Sequence, residues 1–502
     1  MKEPNSAMNP TDLSRRDWLK AAAGWSAAAG AAGLPRAAAA GSAEAAPPAL
    51  DIGSRRELFV DDYLIERLQG AELRLHAPTP REIAIRENEP WEGIYSGYHT
   101  VVQDGELLRL YYRGLPVARH ALDTEVTCVA ESRDGIHWAR PRLGLFEVGG
   151  TKDNNVVLAR HRACHNFAPF LDANPSAPEG ERYKALGGSG EPGLIAFVSP
   201  DGIRWQELMP EPVITKGAFD SQNNAFWSES EGCYVCYFRV FRDGMRWIGR
   251  ATSPDFRAWS EPVDLELGGQ PREHLYTNQI SPYPRAPHLY LGLPTRFMPG
   301  RRALSDEVLE RIGTPREWDY ANDCVDILLV SARGGAELRR TFREAFIRPG
   351  LDPRNWTSRA NYAARGIVQT APEELSLYVQ HNAGYTTSHV LRYTLRPDGF
   401  VSVSAPLEGG ELVTRSFRFA GKRLAINYST SAAGSLRAEL QTAAGEPIPG
   451  RALADCPEII GDEIERIVHW QSGAEVGSLA GQPVRLRFAL SDADLYSLRF
   501  LA

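Results

Sequence analysis

The sequence is short of several things, and each shortage removes a class of function. Positive charge is not in surplus: 56 Lys and Arg stand against 63 Asp and Glu, a formal net charge of -7. No basic run is interleaved with aromatics, which argues against nucleic acid as a partner. Six cysteines in 502 residues are too few for a disulfide framework. Cys233 and Cys236 do fall at C-x-x-C spacing in "GCYVCYF". Their β-branched and aromatic neighbours read as a strand, where positions three apart face opposite sides, so they are expected to pack rather than form a redox or zinc pair. Past the N-terminus no run of about eighteen strongly apolar residues occurs, so no membrane span is expected in the mature chain. Helical periodicity is nearly absent, "SDEVLERIGTPREW" with Ser305 as its cap being the main exception. No H-E-x-x-H or close-spaced His/Asp set appears, so no metal or other cofactor is expected.

The first forty residues stand apart. "SRRDWLK" (Ser14 to Lys20) precedes an Ala/Gly-rich, weakly apolar run ending in "PRAAAAGS". This reads as a twin-arginine signal over 1–40 with Trp18 in the usual Phe place, and the expected destination is the periplasm or beyond.

The rest is punctuated by a repeat. "SRDGIHW" (Ser132 to Trp138), "SPDGIRW" (Ser199 to Trp205) and "SPDFRAW" (Ser253 to Trp259) are near copies. A degenerate fourth, "VSARGGAEL", lies near Arg333, and a fifth, "LRPDGF", near Asp398. Short alternating β-rich runs such as "ELLRLYYRG", "GCYVCYFRV" and "LSLYVQHN" lie between them, bounded by Gly, Pro, Asp or Asn. Repeats at this spacing mean stacked supersecondary units, and small sheets arranged radially bury both faces while leaving only short edges. The predicted fold is all-β, a five-bladed β-propeller over 41–405. The heptads are its corners: Asp-Gly gives the tight turn, Ser and Asp bond turn amides, and Trp fills the gap between blades. After "SVSAPLEGGE" the repeats stop, and "PVRLRFALSDADLYSLRF" alternates strictly. Such alternation suits an antiparallel sheet wet on one side, so a C-terminal β-sandwich is expected over 406–502.

In a propeller the first strand of each blade lines the central channel, so the start of each unit is where a site would form. Five starts are oddly polar. They offer Tyr98 and His99; His165 and Asn166; Asp220, Gln222 and Asn223; Glu273, His274, Tyr276 and Asn278; and Arg359, Asn361 and Tyr362. Only Asp220 and Glu273 bring carboxylates. Two carboxyls across a pocket are what glycosidic cleavage needs, one protonating the leaving oxygen while the other attacks C1 or activates water. Asp220 is therefore expected as nucleophile or base and Glu273 as acid, with the roles exchangeable; Glu92 is the reserve, and Asp323 and Asp326 are weaker. Tyr98, His99, His165, Asn166, Gln222, Asn223, His274, Tyr276, Arg359, Asn361 and Tyr362 are the expected substrate-binding set, the tyrosines packing on sugar CH groups and Arg359 holding an anion or neutralising Asp220. A central calcium is the one ion the channel leaves open. The expected partner is a carbohydrate.

Five units with acids at their starts, followed by a sandwich, resemble the superfamily of arabinanases, β-xylosidases, invertases and levansucrases. "LFVDDYLIE", "DNNVVL", "EHLYTNQISPYPRAPHLYLGLP" and "FIRPGLDPRNW" are similar to exported glycoside-hydrolase-like proteins of planctomycete-type bacteria. The resemblance implies polysaccharide degradation. The chain departs from the invertase group in having no "NDPNG", "RDP" or "EC" element. Two other readings remain: a non-catalytic glycan-binding propeller, and a sialidase-like enzyme, which needs an arginine cluster and a nucleophilic Tyr where the sequence places only Arg359.

Overall fold

A computed structural model describes residues 48–116, 124–314, 320–357 and 359–502; the expected signal segment 1–40 lies outside the described residues. Strands supply nearly all of the regular structure. Among the described residues one α-helix forms, Asp306–Arg311, and the Ser305 hydroxyl caps it by accepting from the Val308 amide. Gly313 in a left-handed conformation (φ 69°) follows the helix, which is shorter than its sequence pattern.

From residue 97 onward the chain lays down small antiparallel sheets in sequence order. The first joins Gly97–Asp104, Leu107–Gly114, Val126–Ser132 and Val156–Ala159. The second joins Ala168–Leu171, Tyr183–Gly187, Ile195–Ser199 and Gln206–Glu207. The third joins Asn224–Ser228, Cys233–Arg242, Met245–Ser253 and Val263–Asp264. The next group is split: Ser281–Tyr283, Ala286–Gly292 and Val330–Ala332 form one sheet, Thr295–Met298 and Cys324–Ile327 another. The last is built on Tyr362–Ala363, Glu374–His381 and His389–Leu395. Its outer strand comes from the start of the chain, Thr79–Arg86 pairing with His389–Leu395.

The opening strands are neighbours: Gly97–Asp104 lies beside Ala168–Leu171, which lies beside Asn224–Ser228, which lies beside Ser281–Tyr283, while Tyr362–Ala363 returns to Gly97–Asp104. Their polar residues meet where the strands converge. Gln222 Nε2 donates to the Tyr98 and His99 carbonyls and to Thr100 Oγ1, and Gln279 Nε2 donates to Gln222 Oε1 and the Ala363 carbonyl. The buried Arg365 guanidinium reaches the carbonyls of Pro169 and Ala225. Amides and a cation thus close the axis by satisfying backbone carbonyls that face it. A guanidinium already supplies positive charge where the sequence leaves room for a central calcium. No group of three or more His, Cys, Asp or Glu suited to a metal occurs among the described residues.

The three heptads form the same corner. Asp134 Oδ1 accepts from the amides of Ile136 and His137, both at 2.8 Å, and Asp201 does the same for Ile203 and Arg204. Asp255 accepts from Arg257 and Ala258. Gly135 and Gly202 take φ of 73° and 74°. A Cβ there would lie 2.8 Å from the Tyr378 hydroxyl or 2.7 Å from that of Tyr111, and these hydroxyls bond the carbonyls of the same two glycines. Each of these corners is therefore latched by a tyrosine from an adjoining sheet. The third copy has Phe256 at φ 66°, its ring fully buried against Phe170 and Tyr234. Burying an aromatic outweighs the roughly 1 kcal/mol of left-handed strain. Cys233 and Cys236 lie on one strand and are both unpaired, as the alternation requires.

The C-terminal region departs from the expected boundary at 405/406. A ten-stranded sheet takes in not only Arg423–Thr442 and Val484–Leu501, which pair along most of their length, but also Val401–Ala405 and four strands from residues 50–75. Leu50–Gly53 runs parallel to Phe417–Phe419, and Glu57–Leu58 pairs with residues 497–498. Residues 50–75 were read as part of the repeat region because their alternation carries no mark of which sheet they join. "LRPDGF" differs too. Asp398 is fully buried and forms no exposed corner; it pairs with Arg56 and Arg285.

Candidate functional site

A cleft of about 650 Å³, counting its open mouth, lies over the ends of the opening strands, lined by Tyr95, Tyr98, Arg113, His165, Asp220, Tyr276, Arg359, Tyr362 and Gln380 among others. Six residues singled out from sequence meet there: Tyr98, His165, Asp220, Tyr276, Arg359 and Tyr362. Tyr98 and Arg359 both have positive φ, 54° and 62°. Non-glycine residues in that region store strain of about 1 kcal/mol or more each, and such strain concentrates at functional positions.

Asp220 is presented by a clamp. The carbonyls on either side of it, those of Phe219 and Ser221, accept from Nδ2 of both Asn166 and Asn223. Phe219 is buried against Phe238, and the Ser221 hydroxyl bonds the Tyr276 carbonyl. With its backbone fixed, the Asp220 side chain projects into the cleft, 59% exposed. Asn166 and Asn223, expected to touch substrate, are fully buried and act on the backbone instead.

Behind Asp220 runs a chain of charge. Its Oδ1 lies 2.9 Å from His165 Nε2, and His165 Nδ1 lies 3.0 Å from Oε1 of the buried Glu125. Both contacts are attractive at once only when both ring nitrogens carry protons. Arg239 Nη2 is 3.5 Å from Asp220 Oδ2, and Arg113 lies against the His165 ring and over Tyr98. Partial burial pushes the Asp220 carboxyl up, but the His165 hydrogen bond and the charges of His165, Arg239 and Arg113 override it and hold the group well below the usual carboxylate range. Tyr98 is driven the other way: burial, with Tyr276 and Asp220 adding to it, raises its hydroxyl well above the ordinary tyrosine value, so it stays a neutral donor.

This sets a pH dependence. Asp220 has a depressed proton affinity, so its anion survives to low pH and is lost only as pH falls through the depressed value. Replacing His165 with Gln removes the largest lowering contribution and leaves the burial that raises it. In His165→Gln the Asp220 carboxyl, followed by NMR, is expected to titrate at higher pH than in wild type; an unmoved titration would show that His165 does not set the Asp220 charge.

The remaining sequence candidates are placed elsewhere. Glu273 pairs with Arg340, with Arg296 3.9 Å away, and does not line the cleft. The reason is parity. Residues 274–276 pair with 295–297 as an extended ladder, the amide of Phe297 bonding the His274 carbonyl and that of Tyr276 the Thr295 carbonyl. Successive side chains alternate along it, so Tyr276 in the cleft sends Glu273 and the core residue Leu275 to the other side. The expected carboxylate pair across one pocket is therefore not what forms. His274 accepts from the Arg246 amide and meets Phe297 edge-on. His99 is buried on Glu87 at 2.7 Å, Gln222 is part of the axial plug, and Asn361 bonds the Asn355 carbonyl. Glu92, the reserve carboxylate, is fully buried and held by Arg140 and Tyr112. Asp326 pairs with Arg296, and Asp323 accepts from the Gly300 amide.

Sequence reading missed the arginines. Arg239 and Arg246 sit on the second and third strands of their sheet, where "YFRVFRDGMRW" reads as a polar hairpin tip. Folding instead brings both onto the ring of Tyr276, at 5.4 and 5.2 Å, with Arg359 at 5.8 Å. Arg113, at the end of "LYYRG", was passed over in the same way.

No family model matches the chain, and no curated protein matches it. Among solved structures it is similar to one described as a glycoside hydrolase, at 11% identity over 64% of this chain and 93% of that one, TM-score 0.44. It is also similar to one from work on the GH130 family of mannoside phosphorylases and glycoside hydrolases that target β-1,2-mannosidic linkages in Candida mannan, at 16% identity over 64% and 95%, TM-score 0.42. A third is a family 43 arabinoxylan arabinofuranohydrolase from Bacillus subtilis, at 11% identity over 85% and 99%, TM-score 0.39.

Proposed function

We propose that this chain is a glycan-acting hydrolase, a five-bladed β-propeller with a C-terminal β-sandwich, whose active site is the cleft and whose Asp220 is the carboxylate that attacks C1 or activates water. The observation that carries this reading is the solvent-facing Asp220, kept ionised by His165, Arg239 and Arg113 and flanked by tyrosine rings that can pack on sugar CH groups. An ionised carboxylate suits nucleophile or base and not acid. Glu273, committed to Arg340, is a poor candidate for the acid, and Tyr98, held neutral, can donate a hydrogen bond to a substrate oxygen but is too weak an acid to protonate one. The twin-arginine motif "SRRDWLK" supports export to the periplasm or beyond.

One observation favours a second reading. Asp220 is the sole carboxylate among the cleft-lining residues described, as a non-catalytic glycan-binding cleft would have it. Incubation of the purified protein with a broad panel of poly- and oligosaccharides separates the two. The hydrolase reading expects new reducing ends from at least one glycan; binding by calorimetry with none released, across the panel, establishes the binding protein instead.

A further inference from the structure

The cleft wall beside Gly97 holds an oxygen that the protein itself leaves unused. Gln380 lines the cleft from the strand Glu374–His381 and is 1% exposed. Its amide fits only one way round. Nε2 donates to the Ser96 carbonyl at 2.6 Å and to Glu87 Oε2 at 3.1 Å, with Ser388 Oγ, whose own proton goes to Glu87, 3.3 Å away. Burial pushes the Glu87 carboxyl up, but His99, Ser388 and Gln380 outweigh it and hold the group below the ordinary carboxylate range, so it is an anion that can only accept. Turning the amide over would set its oxygen against that anion and against a carbonyl. Oε1 is therefore held on the other side, where it is buried with no hydrogen-bond partner among the described residues. A buried carbonyl oxygen without a donor is costly, and such a group calls for a partner.

The space in front of Oε1 is made by a missing side chain. Gly97 pairs with Arg113 across the first sheet and does not take a positive φ, so its backbone suits alanine as well. A Cβ on it would stand 3.4 Å from Gln380 Oε1 and 3.7 Å from Arg113 Nη2, with nothing else but its chain neighbours within 4 Å among the described residues. Nη2 spends one proton on the Tyr95 carbonyl and has a second to give. An acceptor and a donor thus face one small gap, and a hydroxyl answers both: its proton goes to Oε1 while its oxygen accepts from Nη2. The gap is close to the chemistry, because Arg113 Nη1 lies 3.4 Å from Nδ1 of His165, the residue that bonds Asp220. We propose that Gly97, Arg113 and Gln380 form a subsite for one unsubstituted hydroxyl of the sugar ring that Asp220 faces. This rests on the glycan reading above and adds its specificity. An ether or ester at that oxygen lacks the proton that Oε1 needs and overfills the gap.

Binding tests this apart from cleavage. Methyl glycosides of glucose, galactose, mannose, xylose and arabinose are titrated against the wild-type chain by NMR, and the tightest binder is compared with its monodeoxy and mono-O-methyl forms. The expected result is one ring position at which both changes weaken binding about tenfold or more. Gly97→Ala fills the gap and removes no hydrogen bond of the protein. It should erase the penalty at that position, at an unchanged melting temperature, while penalties at other positions stay as they were; a merely structural effect would weaken every analogue alike. Gln380→Met, which lacks the oxygen, should do the same and serves in its place if Gly97→Ala fails to fold. No position with such a penalty, a penalty that survives in the folded variant, or no glycoside bound by the wild type overturns the proposal. A glycoside bound through one critical hydroxyl, with no glycan cleaved, would sink the hydrolase reading and leave this one; a glycan cleaved with no critical hydroxyl would do the reverse.

Discussion

Asp220→Asn is expected to lower turnover of any glycan the cleft cleaves by about a thousandfold while leaving the fold intact. The substitution is nearly isosteric, and its carbonyl can still accept from His165 Nε2, so the backbone clamp of Asn166 and Asn223 is untouched. What disappears is the negative charge that His165, Arg239 and Arg113 are arranged to sustain. A neutral amide can neither attack an oxocarbenium-like centre nor take a proton from water. Stability should change little, because the side chain is 59% exposed and surface ion pairs contribute little. The measurement is kcat on the glycan found active, alongside a thermal melt; undiminished kcat in the folded variant would remove Asp220 from the chemistry.

Asp398→Ala is expected to cost about 3–5 kcal/mol of stability, the largest loss anticipated for a position outside the cleft. This carboxylate is fully buried and binds four remote parts of the chain. Arg56 Nη1 donates from 3.1 Å, Arg285 Nε from 2.9 Å, the Tyr283 hydroxyl from 2.7 Å, the Ser497 hydroxyl from 2.8 Å and Asn427 Nδ2 from 3.2 Å. Truncation strands Arg285 without its ion-pair partner and leaves Arg56 only the half-exposed Glu465, and an unpaired buried charge costs more than the pair ever contributed. Burial pushes the Asp398 proton affinity up, yet Arg56 and Arg285 more than offset it, so the folded value lies below the usual carboxylate range. The sign follows: the contribution is fully present above the unfolded carboxylate value and is lost as pH falls towards the folded one. A lower denaturation midpoint at pH 7, with a gap to wild type that narrows in acid, is the expected result. A midpoint equal to wild type at pH 7 would show that the network does not hold the two regions together.

What could be read from the sequence follows the range of the interactions involved. The heptad corners were legible because every bond that defines them, Asp201 to Ile203 and Arg204 for example, spans no more than three residues. Asp220 was legible because a polar residue at a strand opening has few explanations other than the channel end. Glu273 shares that description and still faces away, since which side of an extended segment meets a cleft is fixed by pairing with Thr295–Met298 and not by composition. Arg239 and Arg246 look like the wet edge of a hairpin until Tyr276, from a later part of the chain, brings its ring to both. Asp398 copies the corner motif, but its partners include Arg56, 342 residues away, a distance at which no local pattern speaks.

Two pairings join the ends of the molecule: Thr79–Arg86 edges the sheet built on Glu374–His381, and Glu57–Leu58 lies against residues 497–498. A ribosome therefore releases the first strands long before their partners exist. Until the final residues emerge, those early segments hold bare edges and open apolar faces, which other chains can seize. Completion waits on closures of very long sequence separation, and that slows assembly.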